Sequence, residues 1–232
     1  MTNVRFDVIT LAPQSIFPLR TLGVIGKAFK ANIAELYIHN PRDYAEGNYR
    51  KVDDEPYGGG TGMLLKPEPI FATVEAIPIV EPRRTLLMSP QGKLMRQADL
   101  QRWAHTYKQL ILICGHYEGF DERIRILADE EISVGDFVLT GGELPAMIII
   151  NGTTRLLPGT LGKSECLNQE SHSHSLLEYP HYTRPARFRE MEVPNVLRNG
   201  DHQAIQLWRT KQQKLRTGQR RPDLLSQDSD SN

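Results

Sequence analysis

The chain has 232 residues, of which 28 are basic and 28 acidic, so its formal net charge is zero. A hydrophobic share of 39% and a charged share of 24% exclude a fibrous or wholly disordered chain and describe one large folded domain, or one with a smaller companion. Two cysteines, Cys114 and Cys166, exclude a disulfide framework and paired zinc ligands, which predicts a reducing, cytoplasmic setting; the first residues lack the apolar run of a signal peptide, and no apolar stretch reaches the roughly 20 residues of a membrane helix.

In chain order, Val4-Arg5-Phe6-Asp7-Val8-Ile9-Thr10-Leu11 reads as a strand stopped by Pro13, and Ala34-Glu35-Leu36-Tyr37-Ile38-His39 as a second. Thr85-Leu86-Leu87-Met88-Ser89-Pro90 is a third, ended by Pro-Gln-Gly, and residues 95–107 have helical composition. Gln109-Leu110-Ile111-Leu112-Ile113-Cys114-Gly115 is apolar on both faces, as in a buried parallel sheet. Ser133-Val134-Gly135-Asp136-Phe137-Val138-Leu139-Thr140-Gly141-Gly142 begins like a strand, is interrupted by Gly135, and ends in a glycine pair before a helix predicted to start at Pro145. The alternation predicts an α/β domain with a mostly parallel sheet over residues 1–160. Such sheets bind ligands beyond the carboxyl ends of their strands. Here those ends are rich in turn residues: Ser89-Pro90-Gln91-Gly92, Gly115-His116-Tyr117-Glu118-Gly119 and the glycine pair. Val134, Val138 and Leu139 could wall a pocket, but on the residues alone plain core is the better reading.

Residues 161–177 are small, polar and without period, which predicts a flexible linker. In the remaining segment, 178–232, Asp201 caps a predicted helix with Ile205, Trp208 and Leu215 on one stripe and Gly218 at its end. From Arg184 to Arg221 ten basic residues face three acidic ones, a local excess of seven positive charges on a neutral protein. That polarity points to a polyanion met by one end of the molecule. The tail 227–232 reads as disordered.

Other motifs fail. Gly23-Val24-Ile25-Gly26-Lys27-Ala28 has the wrong glycine spacing for a phosphate loop and no hydroxyl after its lysine. Tyr57-Gly58-Gly59-Gly60-Thr61-Gly62-Met63 lacks a Lys-Ser/Thr ending; it reads as a multi-glycine turn or as a loop that closes over something planar. His172 and His174, with Cys166 or His181, sit in a polar loop with nothing to fix metal geometry, so no protein metal site is expected.

Five blocks carry more. The Tyr57–Met63 run, Ser89-Pro90-Gln91-Gly92, Cys114-Gly115-His116-Tyr117-Glu118-Gly119-Phe120-Asp121-Glu122-Arg123, the stretch 133–145 and Tyr179-Pro180-His181-Tyr182-Thr183-Arg184-Pro185 together resemble the bacterial tRNA (guanine-N1)-methyltransferases, in order and spacing, from about residue 4 to about residue 222. The resemblance implies a knotted α/β methyltransferase domain of the SPOUT superfamily, an obligate homodimer and a helical carboxyl-terminal domain that binds tRNA. It implies S-adenosylmethionine as methyl donor, magnesium-linked activity with no site specified, and, as target, the guanine just 3′ of the anticodon. The partners are then tRNA and a second copy, with neither DNA nor membrane.

The resemblance also implies roles. Gly115 and the run Val134, Gly135, Asp136, Phe137, Val138 and Leu139 contact the donor, with Met88, Ser89, Pro90, Tyr117, Gly141, Gly142 and Pro145 completing its pocket. Guanine N1 carries a proton at neutral pH, so a general base must remove it; the family's aspartate is replaced here by Glu170. Negative charge then grows on O6, and the family's arginine at the end of the 145–155 helix is Arg155. Glu118 is the third catalytic residue, placed near the sulfonium and linked to the magnesium-dependent activity. Gly58 and Gly59 shape the guanine pocket, and Arg184, Arg220 and Arg221 meet tRNA phosphates. A ribose 2′-O methyltransferase of the same superfamily would share the donor loops but need no base for N1. A non-catalytic RNA-binding protein would use the basic segment without binding any donor.

Overall fold

The computed structural model describes residues 3–162, 167, 170–173 and 175–226. Cys166, His174, part of the expected linker and the tail from 227 lie outside the described residues. The chain divides into two compact units, Met1–Gly162 and Lys163–Asn232.

The first unit is α/β. Its elements are β1 (Val4–Ile9), α1 (Pro13–Ile16), α2 (Gly23–Lys30), β2 (Ala34–His39), β3 (Asp53–Asp54), β4 (Leu64–Leu65), α3 (Pro67–Ala76), β5 (Arg83–Leu94), α4 (Gln97–Thr106), β6 (Gln109–Cys114), β7 (Glu130–Ser133) and α5 (Glu143–Thr154). Five strands form one sheet in the order β2-β1-β6-β5-β7, every pair parallel. All six residues of β6 are buried, the consequence of an apolar run at the centre of a sheet covered on both faces. Ile111 and Ile113 pack with Ile9, Leu87 and with Ile70 and Ile77 from the α3 side. Leu110 and Leu112 point the other way, toward the face where α5 meets β1 and β6. Each such buried Leu or Ile contributes about 2 kcal/mol.

Two polar clusters lock the sheet. Asp7 of β1 is fully buried; it accepts from Arg5, from Gln109 on β6 at 2.8 Å and pairs with His39 on β2 at 2.8 Å, joining three neighbouring strands. Glu130 at the start of β7 accepts from Arg84 on β5, and from Arg102 and Trp103 on α4.

Several boundaries differ from the sequence reading. Pro13 opens α1 rather than merely ending a strand. Pro90 does not end the third strand: β5 runs on to Leu94, and its register on β7 slips between Met88 and Lys93, both opposite Ile132, so that residues 89–92 bulge out. The stretch 134–142 is not a strand. The Ser133 hydroxyl accepts the Gly135 amide at 3.2 Å and donates to its carbonyl at 2.9 Å, and that local bonding replaces the ladder. Pro145 is the third residue of α5, whose N-cap is Gly142.

The second unit contains a hairpin, β8 (Arg187–Phe188) with β9 (Met191–Glu192), then α6 (His202–Arg220) and α7 (Asp223–Ser226). Asp201 caps α6 by accepting from the amides of Gln203 and Ala204, each at 3.0 Å. Gly218 does not end the helix. It continues to Arg220 and stops where Pro222 forces Arg221 out of helical geometry (φ −144°, ψ 63°). Ile205 and Trp208 are half-buried, whereas Leu215 is exposed.

Candidate active site

Because the sheet is parallel, the bulge of β5 and the loops that follow β6 and β7 come out at one edge. These three segments, residues 89–92, 115–121 and 134–142, border a cleft of about 310 Å³, a size suited to one nucleoside-sized ligand. Met88, Ser89, Pro90, Gly115, Tyr117, Val134, Phe137, Val138, Leu139, Gly141, Gly142 and Pro145 line it, as does Glu118. Of the residues expected there, Gly135 and Asp136 lie in the same loop but not on the wall. Phe137, Val138 and Leu139 are 56%, 81% and 39% exposed, so they are not core. Apolar side chains left open around a concavity are instead available to a ligand.

The glycine pair has a steric cause. A β-carbon on Gly142 would lie 2.7 Å from the Cys114 α-carbon and 2.9 Å from the Gly115 amide nitrogen. Its absence lets the Gly142 amide donate to the Gly115 carbonyl at 2.8 Å, while His116 and Gly141 form an antiparallel bridge. The loops after β6 and β7 are thereby joined. Tyr117 beside them holds a left-handed backbone (φ 58°), uncommon for a side chain of its size. Burial pushes the Cys114 thiol well up, so it is no nucleophile.

Glu143, in the first turn of α5, is buried under this junction, where it accepts from the Thr10 hydroxyl and pairs with His116 Nε2 at 2.5 Å. Burial alone would raise its carboxyl pKa; the hydrogen bonds from His116 and Thr10 outweigh that and hold it below its ordinary value. Neither Thr10 nor Glu143 stood out in the sequence, where an acid at a helix start reads as a partner of the helix dipole. Glu122 and Arg125 also line the cleft; Arg125 pairs with Glu122 at 2.8 Å and with Glu131. Glu122 is thereby matched by a cation, and Glu118 is the other carboxylate on this rim.

The glycine-rich run is stitched to the same place. Gly62, at φ 88°, packs where a β-carbon would collide with the Glu118 side chain, and the Glu118 amide donates to the Met63 carbonyl at 3.1 Å. Gly58 and Gly59 stand farther out in that loop, exposed. Arg155 is the C-cap of α5, half-buried and outside the cleft lining, its amide bonded to the Asn151 carbonyl at 3.2 Å.

Glu170 belongs to the second unit, in a turn whose carbonyl accepts the Ser173 amide at 3.2 Å. Arg184, Arg220 and Arg221 are exposed there, as are Arg187, Arg189, Arg198, Lys211 and Lys214. The Arg221 guanidinium is held by Asp223 at 2.6 Å, and Arg209 packs over the Tyr179 ring, 4.7 Å from its centroid.

A protein-family model described as tRNA (Guanine-1)-methyltransferase TrmD matches residues 4–227. The chain is 69% identical over 227 residues to the tRNA (guanine-N(1)-)-methyltransferase of Synechococcus sp. strain RCC307, covering 98% of this chain and 96% of that protein. It is 67% identical over 225 residues to the protein of the same name in strain WH7803, covering 97% and 93%. A third relative of that name, from Trichodesmium erythraeum strain IMS101, is 56% identical over 225 residues, with 97% and 99% covered.

Proposed function

The chain belongs to the tRNA (guanine-1)-methyltransferase family, and from that premise we propose how its cleft and basic unit divide the work. The protein is an enzyme that methylates N1 of guanine in tRNA. The methyl donor in this reading is S-adenosylmethionine, and the target is the guanine immediately 3′ of the anticodon. The observation that carries it is the convergence of twelve expected donor residues on one cleft at the carboxyl edge of the sheet. The cleft suits such a donor chemically. Main-chain groups of the glycine loops can bond an adenine edge, Val134, Val138, Leu139 and Pro145 flank it with apolar surface, and the Glu118 carboxylate favours a positive sulfonium.

The donor supplies an electrophilic methyl group; the chain's own residues orient it and manage one proton. Glu170 takes the proton from N1, and Arg155 stabilises the charge that grows on O6. Glutamate in place of the family's aspartate keeps the carboxylate and extends it by one methylene. Gly58 and Gly59 shape the pocket of a guanine turned out of its stack. Exposed Arg184, Arg220 and Arg221 meet tRNA phosphates from a carboxyl-terminal helical domain. A homodimer and a knotted chain path belong to the same reading; exposed Leu144 and Ile148, one turn apart on α5, fit a subunit contact. The magnesium-linked activity is assigned no site: among the described residues no three His, Cys, Asp or Glu side chains are grouped to hold a metal. No helix of the described residues is long and apolar enough to cross a membrane, and the cytoplasm is the proposed location. Ribose methylation is not favoured, because the relatives carry the guanine-N(1) name.

The test is mass spectrometry of tRNA after incubation with labelled S-adenosylmethionine, beside a tRNA with adenine or inosine at the target position. Label confined to N1 of that guanine supports the reading; label on ribose, or none, overturns it.

A further inference from the structure

Glu143 is absent from every role assigned above, yet it is a buried carboxylate held by two side chains beside the cleft. Thr10 is buried, and its hydroxyl oxygen already accepts the Ala12 amide at 2.9 Å, so its own hydrogen is directed at Glu143. The same carboxylate oxygen, Oε1, takes His116 Nε2 at 2.5 Å. An ionised carboxylate only accepts, so His116 carries its proton on Nε2 and its orientation is fixed from below. His116 lines the cleft, and its backbone is bridged to Gly141 in the opposite donor loop. Gly141 is itself shaped by the pair: a β-carbon there would press on Glu143 Oε2 and stand 3.1 Å from His116 Cε1.

We propose that Glu143 is a positioning residue for the methyl donor: anchored by Thr10 on β1's carboxyl end, it holds His116 and thereby sets the spacing of the two glycine loops that form the donor cleft. The inference rests on the reading of that cleft as the donor site. It assigns a purpose to a buried carboxylate, whose burial is costly unless its hydrogen-bond partners are in place. Glu143 touches neither donor nor tRNA in this account. Its loss therefore weakens donor binding and leaves the chemical step, once the donor is bound, largely intact.

The experiment measures S-adenosylmethionine binding by calorimetry and steady-state methylation of tRNA for wild type, Glu143→Ala, Glu143→Gln and Thr10→Val, each checked for a cooperative thermal transition. The expected result is a donor Kd and KM raised about tenfold or more in Glu143→Ala, with kcat at saturating donor within about threefold of wild type. Glu143→Gln, which keeps an acceptor oxygen for both partners, should recover most of the affinity. Thr10→Val, outside the cleft lining, should still raise KM about threefold. Wild-type donor affinity in folded Glu143→Ala would sink the inference and leave the donor site standing. Should Glu143→Ala not fold, wild-type donor affinity in Thr10→Val overturns the inference by itself. Absence of donor binding in the wild type overturns the reading of the cleft, and this inference with it.

Discussion

Gly142 and Cys114 stand so close that a β-carbon on the glycine would lie 2.7 Å from the cysteine α-carbon. The contact sets how near the loop after β7 comes to the loop after β6, and so the width of the cleft between them. Gly142→Ala forces backbone apart, since the nearest atoms are main chain and cannot swing away. We expect a stability loss of roughly 1–3 kcal/mol, the usual range for overpacking. We also expect donor affinity to fall about tenfold or more. Calorimetric titration of the folded variant checks this; unchanged affinity would mean the loop spacing does not shape the site.

The roles proposed for Glu170 and Arg155 are open to a paired test. Glu170→Gln keeps shape but cannot accept the N1 proton, so methyl transfer should be lost while donor binding stays within about twofold. Arg155→Ala should lower kcat on the order of 10² or more, the scale seen when a charge-stabilising donor is removed. Single-turnover rates at saturating donor and tRNA separate both effects from binding. A Glu170→Gln enzyme with near wild-type turnover is not missing its base.

Charge on the second unit makes a salt-dependent prediction. Replacing both Arg220 and Arg221 with alanine should weaken tRNA binding alike for cognate and non-cognate tRNA. The slope of log affinity against log salt should become shallower by about one or two. Arg221 already pairs with Asp223, so it must trade that partner for phosphate, and the Arg220→Ala single change should account for more than half of the effect. Filter binding across a salt series reads this out.

Acid sensitivity follows from Glu130. Burial raises its pKa, but hydrogen bonds from Arg102, Arg84 and Trp103 more than reverse this, taking it from 4.5 to about 2. A carboxyl depressed in the folded state contributes stability that is fully present above its unfolded pKa. That stability drains away as pH falls from about 4.5 toward about 2. Glu130→Gln should therefore be less stable than wild type at pH 7, by roughly 1–3 kcal/mol, and the gap should close across that acid window. Denaturant unfolding at a series of pH values measures both curves; a constant gap would mean the carboxylate charge is not what the arginines hold.

What the chain announced in advance was what depends on local order. The α/β alternation, the all-apolar β6, the Asp201 cap and the turn-rich strand ends were all legible, because periodicity and turn chemistry act over a few residues. The loops that line the cleft were legible too, since glycines inside apolar runs mark close approach. Tertiary structure alone decided the rest. The slip after Met88 depends on Gly92 pressing against β7. The exposure of Val138 depends on Ser133 ending a strand from the side. The joining of Thr10, His116 and Glu143 depends on β1 and β6 lying side by side although 133 positions separate the outer two residues in the chain. A buried carboxylate and a solvated helix-start acid are the same letter in a sequence; only packing across a parallel sheet tells them apart, because burial and hydrogen-bond partners are properties of the assembled layers.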